Sequence, residues 1–567
     1  KAFKEADYTI EDQVKIQRFT GAALEPRSYV ANYDKTTGKL TFYASTQQPH
    51  PLRTLLSETL GLSESHIHVI QPAVGGGFGL KIPPFQDELL VAFLSMKTGR
   101  PVKFTEERRE NFLAGGHARS QKHYFAVAFN KDGKVVGLRD KIIADAGVLF
   151  PTPGWGMPIV TAIHIPTVYK IPNVDVELNM VVTNKNALNA YRGFGKECAS
   201  FLMERIMDLI ARKLGMGRAE VRFKNFIQPD EFPYELSSAA TLDSGNYPAA
   251  LQKALNLFSY EEMLKEQSKA RAAGRLYGLG IAYELTPEGG CIPGSFFQQY
   301  DGVTLKVSPT GKVAVFTGIT SPGSGQETAI AQIVADELGA KLEDITVIQG
   351  DTDACPYGLG NFSGRSMITG GIAAASAAGE VKAKLLKVAA SMLEVAPQDL
   401  EAKDSRFSVV DSPHKSLTLA EVATAIYRHP YDTALEVEPG LEVTRYFKMP
   451  NARHIPDARG YTKIYTSFPN SAHVCAVEVD GETGQVKILK YAVIDDCGKV
   501  INPMIVEGQL HGGLAQGIGG TFYEDLIYDE NGQLLTTTFM DYPIPTAQDL
   551  PNFILGHQET LSPYNPL

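Results

Sequence analysis

Apolar residues recur along the chain at spacings that predict strands and helices in a repeating order. Residues 40–44 alternate between apolar and polar types, as in a half-buried strand, and leucines at helical spacing follow over residues 52–60. Residues 66–70 predict a second strand, and residues 84–98 predict an amphipathic helix. The apolar side of that helix is expected to consist of Leu89, Leu90, Phe93 and Leu94.

The same plan returns 278 positions later in the chain. Residues 56–71 and 334–349 are identical at six of sixteen positions without a gap, and Gln48 stands opposite Gln326 at the same offset. The order of strand, polar loop, helix, glycine and strand is also the same. Two related halves that each present a loop to a shared ligand would explain this repeat. The alternative is two unrelated helix–strand units, since such units are common.

A polar stretch separates the two halves. Residues 226–275 contain prolines and a helix rich in lysine and arginine. Before this stretch, residues 201–214 predict a long helix whose buried side includes Phe201. The fold class is predicted as α+β, with two related halves of mixed sheets and packed helices and the ligand between them. The predicted units are a first domain over residues 1–235, a connecting segment over 236–275 and a second domain over 276–567.

The chain is organised around a glycine-rich stretch over residues 72–81, where four glycines surround Phe78. Glycine lets the backbone approach a ligand closely, and successive exposed N–H groups form a concave site for anions. A tight turn that merely tolerates glycine is the alternative. Neither the dinucleotide-binding GxGxxG pattern nor the phosphate-binding GxxxxGK[ST] pattern is present.

Several later loops combine glycine with amide, hydroxyl or arginine side chains. They cover residues 189–195, 322–328, 358–366, 495–503 and 508–520. Such loops suit a large polar cofactor that carries phosphate and is held by many weak contacts. The guanidinium of Arg192 suits an oxyanion or a phosphate, and the rings of Phe78 and Phe194 suit a flat substrate between them.

Composition disfavours several other classes of function. A formal net charge of −10 disfavours a general nucleic-acid binder. The sequence contains no run of 18 apolar residues, so no membrane helix is predicted. The five cysteines lack the spacing of an iron–sulfur cluster and predict no disulfide framework, so we expect a reducing cytoplasm. A protein-ligated metal is disfavoured, because no HExxH or zinc-finger pattern is present. The chain starts at Lys1 without an initiator Met or a signal peptide, so we expect it to begin inside a longer polypeptide.

Five motifs, in this order, resemble the molybdenum-cofactor subunit of the xanthine oxidase family, the molybdenum hydroxylases. They lie at residues 75–79, 190–195, 323–328, 363–366 and 496–509. The resemblance covers nearly the whole chain. It implies molybdopterin as the cofactor, in many bacterial members as the cytosine dinucleotide, with molybdenum held by the pterin dithiolene and by no protein side chain.

The resemblance also implies a reaction and partners. Family members hydroxylate an electron-poor carbon with oxygen from water, and the electrons pass to iron–sulfur clusters and often to FAD. This chain has no iron–sulfur cluster motif, so the clusters and the FAD are expected on other chains or domains. The expected partners are an iron–sulfur subunit and an FAD subunit. The complete complex can be a dimer of such heteromers. The expected substrate is an aldehyde or an aromatic N-heterocycle. The alternatives are CO or an aromatic thioester as substrate, or a non-catalytic scaffold that binds molybdopterin.

Individual positions acquire roles from the resemblance. Gln47 matches a glutamine that contacts an oxygen ligand of the metal, and Phe78 and Gly79 match the loop over the apical oxygen. Arg192 matches the arginine of the substrate loop (residues 189–195), and Phe194 matches a ring that stacks on the substrate. The further residues in segments that line the cofactor are Gly77, Gly323, Ser324, Gly325, Gln326, Ser363, Arg365, Ser366, Asp496, Cys497, Asn502 and Gln509. For each of these residues, the alternative is a role in a turn or a helix cap.

Two departures from the family pattern bear on function. Carbon monoxide dehydrogenases carry a cysteine after the arginine of the substrate loop, whereas this chain has Gly193, which counts against a copper–molybdenum site. The general-base glutamate of the family lies in a Gly-x-Gly-Glu motif just after a Pro-Leu pair, and this sequence ends at Pro566 and Leu567. We therefore expect the base in residues beyond this sequence or on a separate subunit, and little turnover without it.

Overall fold

Both predicted halves contain strands and helices in mixed order. The computed structural model describes residues 1–150, 152–238, 240–289, 300–431, 437–450, 452–453, 455–565 and 567. Up to residue 275 the strands are β1 (Tyr8–Phe19), β2 (Ser28–Asp34), β3 (Lys39–Ala44), β4 (Ile67–Ile70), β5 (Val102–Thr105), β6 (Ala118–Phe129), β7 (Val135–Gly147), β8 (Val174–Val182), β9 (Tyr234–Glu235) and β10 (Thr241–Leu242). The helices of this part are α1 (Ala2–Glu5), α2 (Pro49–Leu60), α3 (Gln86–Thr98), α4 (Arg108–Ala114), α5 (Gly156–His164), α6 (Lys196–Leu214), α7 (Arg218–Asn225), α8 (Tyr247–Phe258) and α9 (Tyr260–Ala272).

The second half has the same mixture of elements. Its strands are β11 (Leu276–Leu285), β12 (Tyr300–Val307), β13 (Val313–Thr317), β14 (Ile345–Ile348), β15 (Leu400–Lys403), β16 (Arg406–Val409), β17 (Ser412–Thr418), β18 (Glu442–Lys448), β19 (Asn470–Val479), β20 (Val486–Asp496) and β21 (Phe553–His557). Its helices are α10 (Gln326–Leu338), α11 (Ile372–Leu393), α12 (Leu419–Arg428) and α13 (Pro503–Phe522).

The internal repeat forms two sheets with the same topology. One sheet has the strand order β4-β3-β2-β5, and the other has the order β14-β13-β12-β18. The pairs β3/β4 and β13/β14 are parallel, and the remaining pairs in both sheets are antiparallel. The crossover helices α2 and α10 both end at a glycine in the left-handed conformation, Gly61 and Gly339. The predicted α+β fold with two related halves of mixed sheets is confirmed.

The two halves join at the ends of their parallel strands. The N–H of Gln71, just after β4, donates to the carbonyl of Gly350, just after β14, at 2.7 Å. The N–H of Asn361 donates to the carbonyl of Gln47 at 2.9 Å. Because ligands of open sheets bind outside the carboxyl ends of the strands, these bonds bring the loops of both halves to one place.

The largest hydrophobic core lies between the remaining two large sheets, β1-β6-β7-β8 and β11-β19-β20-β21. Leu202 and Ile206 of α6 and Leu251 of α8 are fully buried in it. Since α8 belongs to the predicted connecting segment 236–275, that segment contributes to the core. The domain boundary itself stays a prediction.

The apolar faces predicted for two helices were partly wrong. On α3, Leu90 is 55% exposed and Phe93 is 43% exposed, whereas Glu88 and Ser95 are buried. Both buried polar side chains accept a hydrogen bond from a backbone N–H, which satisfies them on the inner face. On α6, Phe201 is half exposed and lines a cavity, whereas the prediction placed it in the core.

Candidate active site

One large cavity lies where the loops of the two halves meet. Its volume is about 1470 Å³, and residues from each glycine-rich loop and from α13 line it. The predicted site residues in its lining are Gln47, Gly77, Phe78, Gly79, Arg192, Phe194, Gly323, Ser324, Ser363, Asp496, Cys497, Asn502 and Gln509. Gly325, Gln326, Arg365 and Ser366 lie outside the lining. Loops hundreds of residues apart in sequence therefore face a single space.

The glycine-rich stretch turns sharply after β4. Three of its residues have positive φ angles: +86° at Gly76, +54° at Phe78 and +101° at Gly79. Glycine adopts such angles freely, so only the angle at Phe78 costs conformational energy. A Cβ on Gly79 would come within 2.8 Å of the backbone of Ala190, so glycine is required where this stretch meets the substrate loop. The carbonyl of Phe78 also accepts a hydrogen bond from the N–H of Arg192 at 2.9 Å. The two loops thus form one wall of the cavity.

Gln47 lies between the halves and is held by both. Its Oε1 accepts from the N–H groups of Gly79 at 2.9 Å and Lys81 at 3.3 Å, and its Nε2 donates to the carbonyl of Asn361 at 2.8 Å. Three backbone groups therefore set the orientation of the amide. The second N–H of Nε2 takes no part in these bonds, and Gln47 lines the cavity.

A carboxylate that sequence reasoning missed braces the glycine-rich stretch. The buried ammonium of Lys81 pairs with Glu25 at 2.6 Å, and the same carboxylate oxygen accepts from the N–H of Gly75 at 2.6 Å. Burial lowers the pKa of Lys81, and the pairing with Glu25 opposes that shift. One carboxylate thus ties the two ends of the stretch together. No local pattern could reveal it, because Glu25 lies 50 residues before Gly75.

Arg192 is directed at α13. Its guanidinium donates to the carbonyl of Gln509 at 2.7 Å and to the side-chain oxygens of Gln509 and Gln516 at 3.3 Å. It lies over Gly512 and Gly513, where an added Cβ would come within 3.3 and 3.5 Å of its nitrogens. Burial lowers the pKa of Arg192. Within the part of the chain that the structure describes, its hydrogen-bond acceptors are all neutral, so its charge is not compensated by a bound carboxylate.

The loop at residues 322–328 leads into α10 and is closed by its own side chains. Gly325, the residue before α10, has a φ of +79°, and a Cβ there would come within 2.9 Å of Ile505. The hydroxyl of Ser324 donates to the side-chain oxygen of Gln326 at 2.6 Å. Gln326 therefore closes the loop, while Gly323 and Ser324 face the cavity.

Glu288 anchors the loop at residues 358–366. Its carboxylate accepts hydrogen bonds from the hydroxyl of Ser363 and the N–H of Gly364. The same carboxylate pairs with the buried ammonium of Lys196 at 3.1 Å. Lys196 directly follows the substrate loop, so this ion pair connects the two loops.

Arg365 and Ser366 lie behind that loop. Arg365 is fully buried, forms an ion pair with Asp301 and donates to the carbonyl of Gly360 at 3.2 Å. A guanidinium held in this way supports the loop from behind, which differs from the predicted contact with a cofactor. Ser366 begins a π-helical turn, Ser366–Gly371, and its buried hydroxyl has no hydrogen-bond partner among the described residues. Such turns are frequent at functional sites.

Asp496 and Asn502 hold the backbone of the last loop. The carboxylate of Asp496 accepts from the N–H and the hydroxyl of Thr560 at 2.9 and 2.6 Å. Asn502 caps α13 by accepting from the N–H of Ile505 at 3.1 Å. Both residues also line the cavity, together with Cys497.

Some kinds of site are absent from the residues that the structure describes. No three His, Cys, Asp or Glu side chains among them lie close enough together to hold a metal ion, and no helix among them is long and apolar enough to cross a membrane. The described cysteines, which are Cys198, Cys355, Cys475 and Cys497, are unpaired. Cys291 and Pro566 lie outside the described residues.

Two domain models and a relative decide the family. Residues 1–226 and residues 253–551 each match a family described as a molybdopterin cofactor-binding domain. The carbon monoxide dehydrogenase large chain of Afipia carboxidovorans is 36% identical over all of this chain and 69% of the relative. The chain belongs to the xanthine oxidase family. It is a molybdenum hydroxylase subunit, a molybdopterin-dependent oxidoreductase.

Two further relatives of this molybdenum hydroxylase subunit are informative. The nicotine 6-hydroxylase large subunit of Paenarthrobacter nicotinovorans is 35% identical over 99% of this chain and 68% of the relative. The crystal structure of quinoline 2-oxidoreductase from Pseudomonas putida 86 superposes with a TM-score of 0.92 at 34% identity, over all of this chain and 71% of that chain. The subunit therefore shares its fold with solved members of the family.

The polar groups at the cavity fit molybdopterin. Gln47 has an N–H that its contacts with the described residues do not use, and Arg192 has a charge that no carboxylate of those residues binds. Buried polar groups in proteins normally have partners, so groups such as these are where the oxygens of a pterin and its phosphate would be held.

Glu524, two residues after α13, is expected to make the stability of this subunit depend on pH. Its carboxylate is buried, accepts from the hydroxyl of Tyr542 at 2.7 Å, and has a pKa that burial raises from 4.5 to about 7. The folded state binds a proton that the unfolded state releases above pH 4.5, so stability falls as the pH rises toward 7 and stays lower above it. In Glu524→Gln, which keeps an acceptor for Tyr542, we expect unfolding at pH 8 to cost about 1–3 kcal/mol more than in the wild type.

Thermal or urea unfolding of the assembly at pH 5 and pH 8 measures this effect. Since a glutamine cannot ionise, the difference between variant and wild type should be small at pH 5 and full at pH 8. An equal difference at the two pH values would show that Glu524 does not titrate in the folded state.

Proposed function

We propose that this chain is the catalytic subunit of a molybdenum hydroxylase that hydroxylates an aromatic N-heterocycle. The observation that carries the proposal is the convergence of loops from both halves on one cavity with aromatic side chains in its wall. These side chains are Phe19, Phe78, Tyr191, Phe194, Phe201, Phe362, Tyr465, Phe468, Tyr491 and Phe522. Flat apolar faces favour a planar substrate. Two of the relatives are named after quinoline and nicotine, and both compounds are aromatic N-heterocycles.

The side chains of the protein hold and orient the reactants. When bound, the molybdenum cofactor supplies the oxygen transfer and takes up the electrons. Gln47 offers its remaining N–H to the cofactor, and the rings of Phe78 and Phe194 hold the substrate ring. Arg192 keeps α13 against the substrate loop and places a positive charge beside the cavity. The loops of both halves limit the access of water to the reacting carbon.

Oxidation of CO is the second candidate, because a carbon monoxide dehydrogenase large chain is among the relatives. The geometry at Gly193 favours the heterocycle. Its φ is +103°, and a Cβ there would come within 2.8 Å of the carboxyl carbon of Glu197. A copper-binding cysteine at this position would be strained at this φ and would force the side chain of Glu197 to move.

The finer features of the assembly belong to the same proposal. We expect the cytosine dinucleotide form of molybdopterin, and iron–sulfur and FAD subunits as electron acceptors in the cytoplasm. Two of the relatives are named as the large chain or large subunit of their enzymes, which implies smaller partner subunits. The cysteine spacing of this chain suits no iron–sulfur cluster, so we expect the clusters on such a partner. The unpaired state of the described cysteines agrees with a reducing compartment.

Turnover of a substrate panel by the complete purified assembly, with a dye as electron acceptor, tests the proposal. The panel contains quinoline, benzaldehyde, xanthine, an aromatic thioester and CO. We expect the highest kcat/KM for quinoline, and equal amounts of molybdenum and of cytidine monophosphate released by acid. An assembly without molybdenum and pterin would refute the proposal. A fully loaded assembly inert toward all five compounds would support a non-catalytic scaffold, and a preference for CO would support the second candidate.

A further inference from the structure

Arg119 is buried beside the substrate loop and holds its backbone. Its Nη2 donates to the carbonyl of Arg192 at 2.6 Å, and its Nη1 donates to the carbonyl of Tyr191 at 3.3 Å. The guanidinium also lies over the ring of Tyr191, 4.4 Å from its centre. The side chain is thus bound to two successive residues of the loop, and it is 7% exposed.

The same guanidinium acts on the far end of the loop through Glu197. The Nε of Arg119 pairs with Oε1 of Glu197 at 2.9 Å, and the carboxylate of Glu197 accepts from the N–H of Gly195 at 3.0 Å. The Arg119–Glu197 pair therefore holds the loop on both sides of Phe194. It binds the carbonyls of Tyr191 and Arg192 before that ring and the N–H of Gly195 after it. Because a guanidinium is rigid and planar, these bonds fix the orientation of the loop as well as its position.

An unusual backbone directs Arg119 toward the loop. Arg119 and Ser120 have φ angles of +64° and +58°, although both lie in β6 and neither is a glycine. Left-handed residues of this kind are costly and persist only where the surrounding structure holds them. From Gln121 onward β6 pairs with both β1 and β7, so the distortion is confined to the end of the strand that faces the substrate loop.

We propose that Arg119 is a positioning residue for the hydroxylation reaction. It holds the backbone of the substrate loop, and this keeps the ring of Phe194 in the orientation that turnover requires. Arg119 lies in the lining of the cavity and acts through the carbonyls and the amide of the loop. The kinetic consequence rests on the proposed function, whereas the ordering of the loop can be measured without turnover.

Hydrogen exchange in the holoenzyme assembly tests the ordering of the loop. Arg119→Met keeps an unbranched apolar stem at this position and removes the donors of the guanidinium. We expect the amides of residues 191–197 to exchange about tenfold faster or more than in the wild type, while the molybdenum content is unchanged. The matched control is Arg139→Met, an exposed arginine on the adjacent strand β7, which should leave exchange in these residues unchanged.

A double-mutant cycle with Phe194→Ala tests the kinetic role. Arg119→Met should lower kcat/KM about 10²-fold in the wild-type background, since a small displacement of a positioning group can cost this much. In the Phe194→Ala background the same change should cost less than about threefold, because the ring that Arg119 positions is gone. A general loss of stability would instead cost the same factor in both backgrounds.

Unchanged exchange in Arg119→Met, or equal costs in the two backgrounds, would overturn the proposal. If Arg119→Met fails to fold or loses molybdenum, Glu197→Gln takes its place, because it removes the ion pair but keeps an acceptor for Gly195. It should also speed exchange in residues 191–197, and unchanged exchange there would equally overturn the proposal. If the wild type turns over no compound of the panel, the proposed function fails and the exchange measurement still decides the role of Arg119.

Discussion

Replacing Gly77 with valine should lower the molybdenum content of the purified assembly about tenfold or more. Overpacking costs roughly 1–3 kcal/mol, and a loss of ~1.4 kcal/mol in binding free energy lowers the affinity for the cofactor about tenfold. The resemblance placed Gly77 in a segment that lines the cofactor. The structure adds the reason for the loss. A Cβ on Gly77 would come within 2.5 Å of Oε1 and 2.7 Å of Cδ of Gln47. Gln47 cannot simply turn away, because its amide is bound to Gly79, Lys81 and Asn361.

The matched control is Gly280→Val in β11. Nothing lies within 4 Å of a Cβ added at Gly280, and valine suits a strand. This variant should retain molybdenum, which separates the effect at Gly77 from a general effect of β-branching. Metal analysis together with pterin fluorescence after acid release measures both variants. A Gly77→Val assembly with full molybdenum occupancy would show that Gln47 and its loop do not hold the cofactor.

Replacing Arg192 with alanine should lower kcat/KM about 10²-fold or more, a loss typical of removing one well-placed donor from an active site. The molybdenum content should fall far less, since the loops of the second half keep their own contacts. The structure adds the reason for the kinetic loss. The guanidinium joins the substrate loop to α13 through Gln509 and Gln516, and it places a charge at the cavity.

Turnover and metal content of the same preparation must be compared to test Arg192. Arg139→Ala provides the control for removing an arginine side chain, because Arg139 is exposed and far along the sheet from the cavity lining. Equal losses of turnover and molybdenum in Arg192→Ala would show that the residue serves to retain the cofactor. No loss of either would remove Arg192 from the proposed site.

The repeat was predictable because its signal is local and occurs twice. Residues 56–71 and 334–349 each encode a helix, a glycine stop and a strand, and the structure builds sheets of the same topology from them. The glycine-rich loops were predictable for a similar reason. A positive φ or a close approach of two backbones, as at Gly79, excludes other residues at that one position.

The face that a helix buries was less predictable. The leucines of α3 suggested the inner face, but the structure buries Glu88 and Ser95 there, because backbone N–H groups satisfy both. The orientation of Arg192 was likewise hidden. Its residue type indicated a bond to an oxygen, but only the position of α13 determined which oxygens it meets.

The sequence by itself determined the fold class, the two related halves, the family and most of the loops that line the cavity. These follow from hydrophobic period, glycine positions and motif order, which are properties of short segments. Only the tertiary structure decided which charges hold those loops in place. Glu25, Arg119 and Glu288 come from other parts of the chain, and each meets its loop through long-range packing. Because a carboxylate or guanidinium can pair with any suitable group that folding brings near, its partner cannot be inferred from its neighbours in sequence.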